Sequence, residues 1–546
     1  MTTRLYLFLL LGIGISCQPI PPPSSPNRPN ILYIMTDDHA FQALGAYQQR
    51  LAAVNPTPVL DELAAGGRLF TQVVCNNSIC TPSRASIMTG QYPQTNGVLD
   101  LDGRLPEEKQ YLPQEMKRLG YQTAIIGKWH LKEPPEAFDY YQVLPIQGKY
   151  FDPILYGREG GDSTYLVNFS GGVKREISGT QYDGHSSDVI TDLTLDWLQN
   201  QRQADQPFFL MHHYKAPHDD FEFAPRYADY LADTFIPEPS TLYHQPEFGS
   251  EAIHGRNDSL IHEIATSVSD RHRYRSYTAQ YQIEHPNRDS ATSLAYQEYL
   301  KRYLRCVKGV DDNLKRLFDY LKANGLWENT LIVYTSDQGM MLGEHDFMDK
   351  RWMYEEAMRM PFIMSWPGVI EAGSTSDLLI NNTDFAPTLI EVAGGEVPDY
   401  MQGHSFAPSL SGEELAEWRT GTYYRYWMHL VHHDVPAHFG IRTHQYKLIF
   451  YYGDHYLPEK QGTNTMWWLP ESFQIRPTPM AWEFYDLEKD PQETENRYDD
   501  PLHAPPSEIA EDGIPGIKAY FEREDFWAMK QLRREHMAAW ECENAD

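Results

Sequence analysis

Cys80 opens the stretch Cys80-Thr81-Pro82-Ser83-Arg84, and Gly90 closes it ten residues on. Pro suits the first turn of a helix and Gly its end, so the spacing predicts a helix that begins at Cys80. Unpaired N–H groups and the helix dipole favour an anion there. Arg84, one turn later, brings a cation to the same end. A lone cysteine is more often a small buried apolar residue, so the case for chemistry rests on the surrounding pattern. Asp37-Asp38 and Asp337-Gln338 offer side-chain oxygens suited to a hard divalent cation. Asp37-Asp38 alone would pass for a strand-end turn with Asx hydrogen bonds. A second acidic segment of the same type turns the reading toward a metal.

Four apolar runs explain how these groups could meet. Ile31–Met35 leads into Thr36-Asp37-Asp38-His39, and Thr123–Ile126 into Gly127-Lys128-Trp129-His130. Pro207–Met211 leads into His212-His213-Tyr214-Lys215, with His218 behind, and Leu331–Tyr334 into Thr335-Ser336-Asp337-Gln338-Gly339. Unbroken apolar runs of this length fit parallel strands covered on both faces. Helices are expected at Pro58–Ala65, at Leu112–Leu119 and, with a long apolar stripe, at Thr292–Lys322. Alternating strands and helices indicate an α/β sandwich, whose site forms beyond the carboxyl ends of the strands. Asp, Lys and His delivered to one edge from four strands fit that position.

The segment Phe221–Asn287 is polar and irregular and reads as inserted loops. After Ser411 the pattern alternates in the antiparallel manner at Tyr423–Tyr426, Gly440–Thr443, Tyr446–Tyr452 and Trp482–Leu487. The expected division is a catalytic domain over 30–410 and a smaller C-terminal α+β subdomain with an antiparallel sheet over 411–546. The patch Tyr423–His444, rich in aromatics and histidine, is a candidate for sugar contact. His39, His212, His213, His429, His432, His433, His438 and His444 are expected to be structural or exposed.

The chain carries 46 Lys and Arg against 76 Asp and Glu, a formal charge of −30. A field of that sign repels nucleic acid, so no nucleic-acid partner is expected. It repels any anionic substrate too, which requires positive charge concentrated in the pocket. Residues 1–17, with Arg4 before the apolar run Leu5–Ile15, read as an export signal, and 18–29 as a Pro-rich linker. Cys17 follows a small residue and is a candidate lipid-anchor site of the bacterial lipoprotein kind, which would place the protein in the periplasm, at the outer membrane or outside the cell. Five cysteines in 546 residues make no disulfide framework.

Taken in order along the chain, these motifs resemble the type I, formylglycine-dependent sulfatases, and most closely bacterial polysaccharide and N-acetylglucosamine-6-sulfatase-like members. Cys80-x-Pro-Ser-Arg84 resembles the family signature, Asn30–Asp38 its opening metal strand, and Lys128-x-His130 its Lys-x-His element. Ala216-Pro217-His218, Ser336–Gly339, Lys350 and Tyr485-Asp486-Leu487 resemble later elements. The resemblance implies an alkaline-phosphatase-like α/β/α fold and oxidation of Cys80 to formylglycine by a maturation enzyme. It also implies one divalent cation on Asp37, Asp38, residue 80, Asp337 and Gln338. Calcium suits an all-oxygen set, with magnesium the alternative. The hydrated aldehyde attacks sulfur, His218 protonates the leaving alcohol, and His130 takes a proton to expel sulfate. Lys128, Lys350 and Arg84 hold sulfate oxygens. Gln338 stands where Asn is common, and Asp219-Asp220-Phe221 replaces a Pro-containing run after His218. The expected substrate is a sulfated polysaccharide or oligosaccharide. The alternatives are small aryl sulfates, phosphonate monoesters or phosphodiesters, and binding of glycan without catalysis.

Overall fold

The structure, a computed structural model, describes residues 28–54, 57–169, 173–243, 248–253, 288–431, 435–457 and 475–498. The export signal, Cys17, His432, His433 and most of the expected inserted loops lie outside the described residues. No described helix is long and apolar enough to cross a membrane.

An eleven-stranded sheet organises the chain. Its centre is five parallel strands in the order Thr330–Ser336, Asn30–Thr36, Phe208–His213, Gln122–Lys128 and Tyr140–Leu144. The four expected apolar runs are four of these five. Alternate residues of each run enter opposite cores, which is why the runs show no polar alternation. Ile31, Tyr33, Ile125, Phe209, Leu331 and Val333 pack on one face with the helices Tyr111–Arg118 and Phe385–Val392. Leu32, Ile34, Ile126, Leu210, Ile332 and Tyr334 pack on the other with Pro58–Ala65 and Arg288–Ala323. The result is the expected α/β/α sandwich.

The flanks of this sheet add antiparallel pairs. Phe362–Ser365 pairs antiparallel with Thr330–Ser336, and Ile154–Gly157 antiparallel with Tyr140–Leu144. A hairpin, Ser163–Phe169 with Val173–Gln181, completes the far edge. The C-terminal strands Gly421–Tyr426, His438–Thr443, Tyr446–Tyr451 and Ala481–Asp486 form a four-stranded antiparallel sheet. It is joined to the larger sheet by buried charge. Glu355 accepts from Arg442 at 2.9 and 3.0 Å, and Lys447 reaches Glu355 at 3.0 Å and Glu493 at 2.7 Å.

Register sets the site. Thr36 pairs with Ser336, Met35 with His213, and Gly127 with His213. The next residues along these strands, Asp37, Asp337, Tyr214 and Lys128, therefore emerge at one edge. Gly127 has φ +108°, and a Cβ there would lie 1.9 Å from the His213 carbonyl oxygen. Only glycine allows the two strands this approach directly beneath Lys128.

Candidate active site

The helix Cys80–Thr89 begins where the sequence places it. Ile79 precedes it in extended conformation with no side-chain cap, and Gly90 ends it in the left-handed region at φ +64°. With no cap, the first N–H groups stay available at the cysteine. Asn382 Nδ2 donates to Ser83 Oγ at 2.8 Å, and Ser83 Oγ donates to the Asp337 carbonyl. These bonds hold the helix against the strand end.

Arg84 ties three strand ends together. Its Nε and Nη2 each lie 2.9 Å from Asp337 Oδ2, Nη1 donates to the Lys128 carbonyl at 3.0 Å, and Nη2 is 3.6 Å from Asp37 Oδ1. Lys128 pairs with Asp37 and with Gln147, and Lys350 with Asp38. His218 Nε2 lies 3.8 Å from Asp38 Oδ2, while its Nδ1 is 2.5 Å from Asp219 Oδ1. His130 joins through its backbone, accepting from Thr81 Oγ1 at 3.1 Å. Every site residue expected from the sequence is buried here.

Asp37, Asp38 and Asp337 place one oxygen each within 4.8 Å of one another, as do Asp37, Cys80 and His218 with their ligand atoms. Burial pushes Asp38 up to about 7 and Asp337 to about 6, and the neighbouring carboxylates add to the rise. For Asp37 burial acts the same way, but the cations Lys128, Arg84 and Lys350 outweigh it and hold the group well below the usual carboxylate range. The donor set suits a hard cation: three carboxylates converge here, and Gln338 Oε1 is buried with no hydrogen-bond donor. Gln338 turns its Nε2 toward Asp38 Oδ1, so it would have to flip its amide to act as the oxygen ligand read from the sequence.

The histidines are neutral in this setting. Burial, with Lys128 adding to it, lowers His218 to about 3 and His130 well below the ordinary value. Burial drives the Cys80 thiol up, with Lys350 opposing and the three carboxylates reinforcing. An unmodified thiol at this position is therefore protonated and a poor nucleophile.

Several residues here carried no role in the sequence reading. Lys215 is buried with its ammonium 4.7 Å over the Tyr150 ring, and Tyr150 OH donates to the His218 carbonyl at 2.6 Å. Asp219 sits in the very run that departs from the family pattern. Arg351 follows Lys350, pairs with Asp349, and donates its N–H to the Ser78 carbonyl at 3.0 Å. The aromatic patch divides: Tyr424 and His438 stack behind the nucleophile loop, where Tyr424 OH bonds Ser78, while Met428 lines an open cavity. Of the remaining histidines, His39, His212, His213, His429 and His438 are buried and hydrogen-bonded, and His444 is exposed.

This sheet, with carboxylates, lysines and histidines gathered from its strand ends around a helix start, is that of a hydrolase of the alkaline-phosphatase-like fold. The sulfatase family model matches residues 29–395, and that of the N-sulphoglucosamine sulphohydrolase C-terminal region matches 343–460. The chain is 34% identical, over 90% of its length and 86% of the relative's, to an N-acetylglucosamine-6-O-sulfatase of Bacteroides thetaiotaomicron. It is 28% identical, over 74% of its length and 70% of the relative's, to an ulvan-active sulfatase of Formosa agariphila. A solved structure in complex with its substrate D-glucosamine-2-N,6-O-disulfate superposes with TM-score 0.71 at 32% identity, covering 93% of this chain and 98% of that one. The chain belongs to the sulfatase family and is a sulfuric ester hydrolase.

Proposed function

We propose that the chain removes sulfate from a carbohydrate ester, using formylglycine made from Cys80 by a maturation enzyme and a calcium ion held by Asp37, Asp38, Asp337, Gln338 and residue 80. One observation carries the proposal: Cys80 begins a buried helix with Asp37 and His218 ligand atoms within 4.8 Å, beside a three-carboxylate cluster. The similarity to an N-acetylglucosamine-6-O-sulfatase points to a 6-O-sulfated amino sugar as the first substrate to try.

When bound, the cation would draw negative charge from the sulfate oxygens, and the hydrated aldehyde would supply the attacking oxygen. Arg84, Lys128 and Lys350 hold the cluster in place, and the two lysines offer further donors to the ester. Asp219 fixes the His218 ring by accepting from Nδ1, which leaves Nε2 facing the reacting group. The negative charge of bound sulfate is what allows this otherwise neutral imidazole to hold the proton it gives to the leaving alcohol. His130, already neutral, is ready to accept a proton as sulfate leaves. Export from a bacterial cell, with Cys17 as a lipid anchor, accords with an extracellular glycan.

The test has two parts. Mass spectrometry of the peptide spanning Cys80 should show an aldehyde in place of the thiol. Sulfate release should then be followed on 6-O-sulfated N-acetylglucosamine beside aryl sulfate, aryl phosphate and a phosphonate monoester. An unmodified thiol in fully active enzyme, or preference for either phosphorus ester, would overturn the proposal.

A further inference from the structure

We propose that Tyr150 is a positioning residue for the reaction: its phenol holds the backbone of His218 so that the imidazole meets the leaving oxygen. The inference deepens the reading given above and rests on His218 as the proton donor.

His218 needs an anchor, because it lies beyond the strand Phe208–His213, in a loop outside the sheet register. The frame holds this loop weakly before His218: the Asp37 amide reaches the Ala216 carbonyl only at 3.5 Å. Asp219 fixes Nδ1 of His218, and the His218 amide donates to the Lys215 carbonyl at 3.1 Å. Both partners belong to the same loop, so they orient the ring relative to its own backbone and move with it. Among the hydrogen bonds of the described residues, the one that ties His218 to another element runs from Tyr150 OH to the His218 carbonyl, at 2.6 Å and across 68 positions of sequence.

Tyr150 is itself well fixed. Its ring is buried, tilted 32° against His185 at 5.5 Å, and carries the Lys215 ammonium 4.7 Å over its face. Its carbonyl accepts from the Ser186 amide at 2.7 Å, and the Asp152 amide donates to the Gly184 carbonyl at 2.8 Å, which stitches this segment to the start of the helix Ser186–Asp196. His185 works with it. Nδ1 of His185 accepts from the Ser187 amide at 3.3 Å, so the ring proton sits on Nε2, which donates to the Glu222 carbonyl at 2.8 Å. The loop that carries His218 is thus clamped at two carbonyls, those of His218 and Glu222. Burial holds the Tyr150 phenol well above its ordinary value, so it keeps the proton it donates. Gln147, three residues earlier, accepts from Lys128. One short segment therefore touches both His218 and Lys128, and a shift of the Tyr150 bond is felt where the proton must be delivered.

The experiment compares the wild type, Tyr150→Phe, His218→Ala and the double variant on three esters: 6-O-sulfated N-acetylglucosamine, phenyl sulfate and 4-nitrophenyl sulfate. The phenylalanine keeps the ring and its packing and removes only the hydroxyl. Loss of one neutral hydrogen bond is worth about tenfold, and a displacement of about 1 Å at a reacting group about 10²-fold. Tyr150→Phe is therefore expected to lower kcat on the sugar ester about 10- to 100-fold, with KM within about twofold. Phenyl sulfate should lose by an intermediate factor, and the nitrophenyl ester, whose phenolate leaves without a proton, should stay within about threefold. The double variant is expected to match His218→Ala within about threefold on the sugar and phenyl esters, because a residue that acts through His218 then has nothing to position. Equal losses on all esters, losses that multiply in the double variant, or unchanged kinetics on the sugar and phenyl esters would overturn the inference. A His218→Ala enzyme that loses equally on all esters would remove the acid role beneath it, an outcome distinct from a silent Tyr150→Phe in an enzyme whose His218→Ala discriminates between them.

Discussion

Substituting Arg84 by lysine keeps a positive charge at the centre of the site and removes the planar fork. The arginine makes two contacts of 2.9 Å to one Asp337 oxygen and a third bond of 3.0 Å to the Lys128 carbonyl. A lysine ammonium is a point donor and can replace about one of these. Hydrogen bonds from a charged donor are worth about 1.5–3 kcal/mol each; the two contacts to one Asp337 oxygen count as about one bond, so Arg84→Lys loses about one bond and should cost about 1.5–3 kcal/mol of local stability. Arg84→Ala removes the charge as well. It leaves Asp337 buried beside Asp37 without its main counter-ion, a class of change that costs about 3–5 kcal/mol. Because the lost bonds also fix the spacing between the nucleophile helix and the Lys128 strand, kcat/KM should fall about 10²-fold in Arg84→Lys and further in Arg84→Ala. The assay is initial-rate hydrolysis of an aryl sulfate, with denaturation midpoints measured on the same material. An Arg84→Lys enzyme within about threefold of wild type would refute the view that the fork organises the strand ends. Equal destabilisation by lysine and alanine would refute the charge part of the estimate.

Three further outcomes follow from the same geometry. His218→Ala should cost at least about 10²-fold on a sugar sulfate, whose alcohol must leave with a proton, and far less on a nitrophenyl sulfate, whose phenolate leaves unaided; equal losses would remove His218 from the acid role. Chelation should abolish activity and lower the melting temperature, and calcium at about 100 times its Kd should restore about 2.7 kcal/mol, read as a concentration-dependent melting shift; a melt indifferent to both treatments would argue against a bound cation. Lys447→Met leaves Glu493 buried without its cation, while Glu355 keeps Arg442, and should cost about 3–5 kcal/mol with aryl sulfate kinetics of the surviving enzyme nearly unchanged; undiminished stability would show that Lys447 does not hold this junction together.

The parallel core was legible because burial on both faces excludes polar residues, and runs as short as Ile31–Met35 or Leu331–Tyr334, ending in polar groups, fit strands better than helices. The helices Pro58–Ala65 and Cys80–Thr89 were legible from Pro and Gly punctuation. The hairpin Ser163–Phe169 with Val173–Gln181 was not, since Tyr165, Leu166 and Val167 run together without alternation and Leu166 faces solvent. In the site, Cys80, Arg84, Lys128 and His218 were found because each sits in a multi-residue motif. Asp219 lay in a run that already departed from the family pattern, whereas Arg351 is a single charged residue that nothing in the sequence separates from a solvated surface group.

The site's charges also show what a bound cation must do. Asp37, Asp38 and Asp337 are matched one for one by Lys128, Lys350 and Arg84, each pair in direct contact. The cluster is therefore close to neutral and offers a sulfate ester little net attraction, in a protein whose formal charge is −30. Surface charge is screened within about 8 Å at physiological salt, whereas charge buried at the strand ends is not. A divalent ion on the three carboxylates would compete with the lysines for the same oxygens and would bring its own excess of positive charge to the site. Lys128 and Lys350, released from part of that pairing, would then be able to offer their ammonium groups to the ester. This accounts for carboxylates being kept buried at a site for an anion, where by themselves they would repel it.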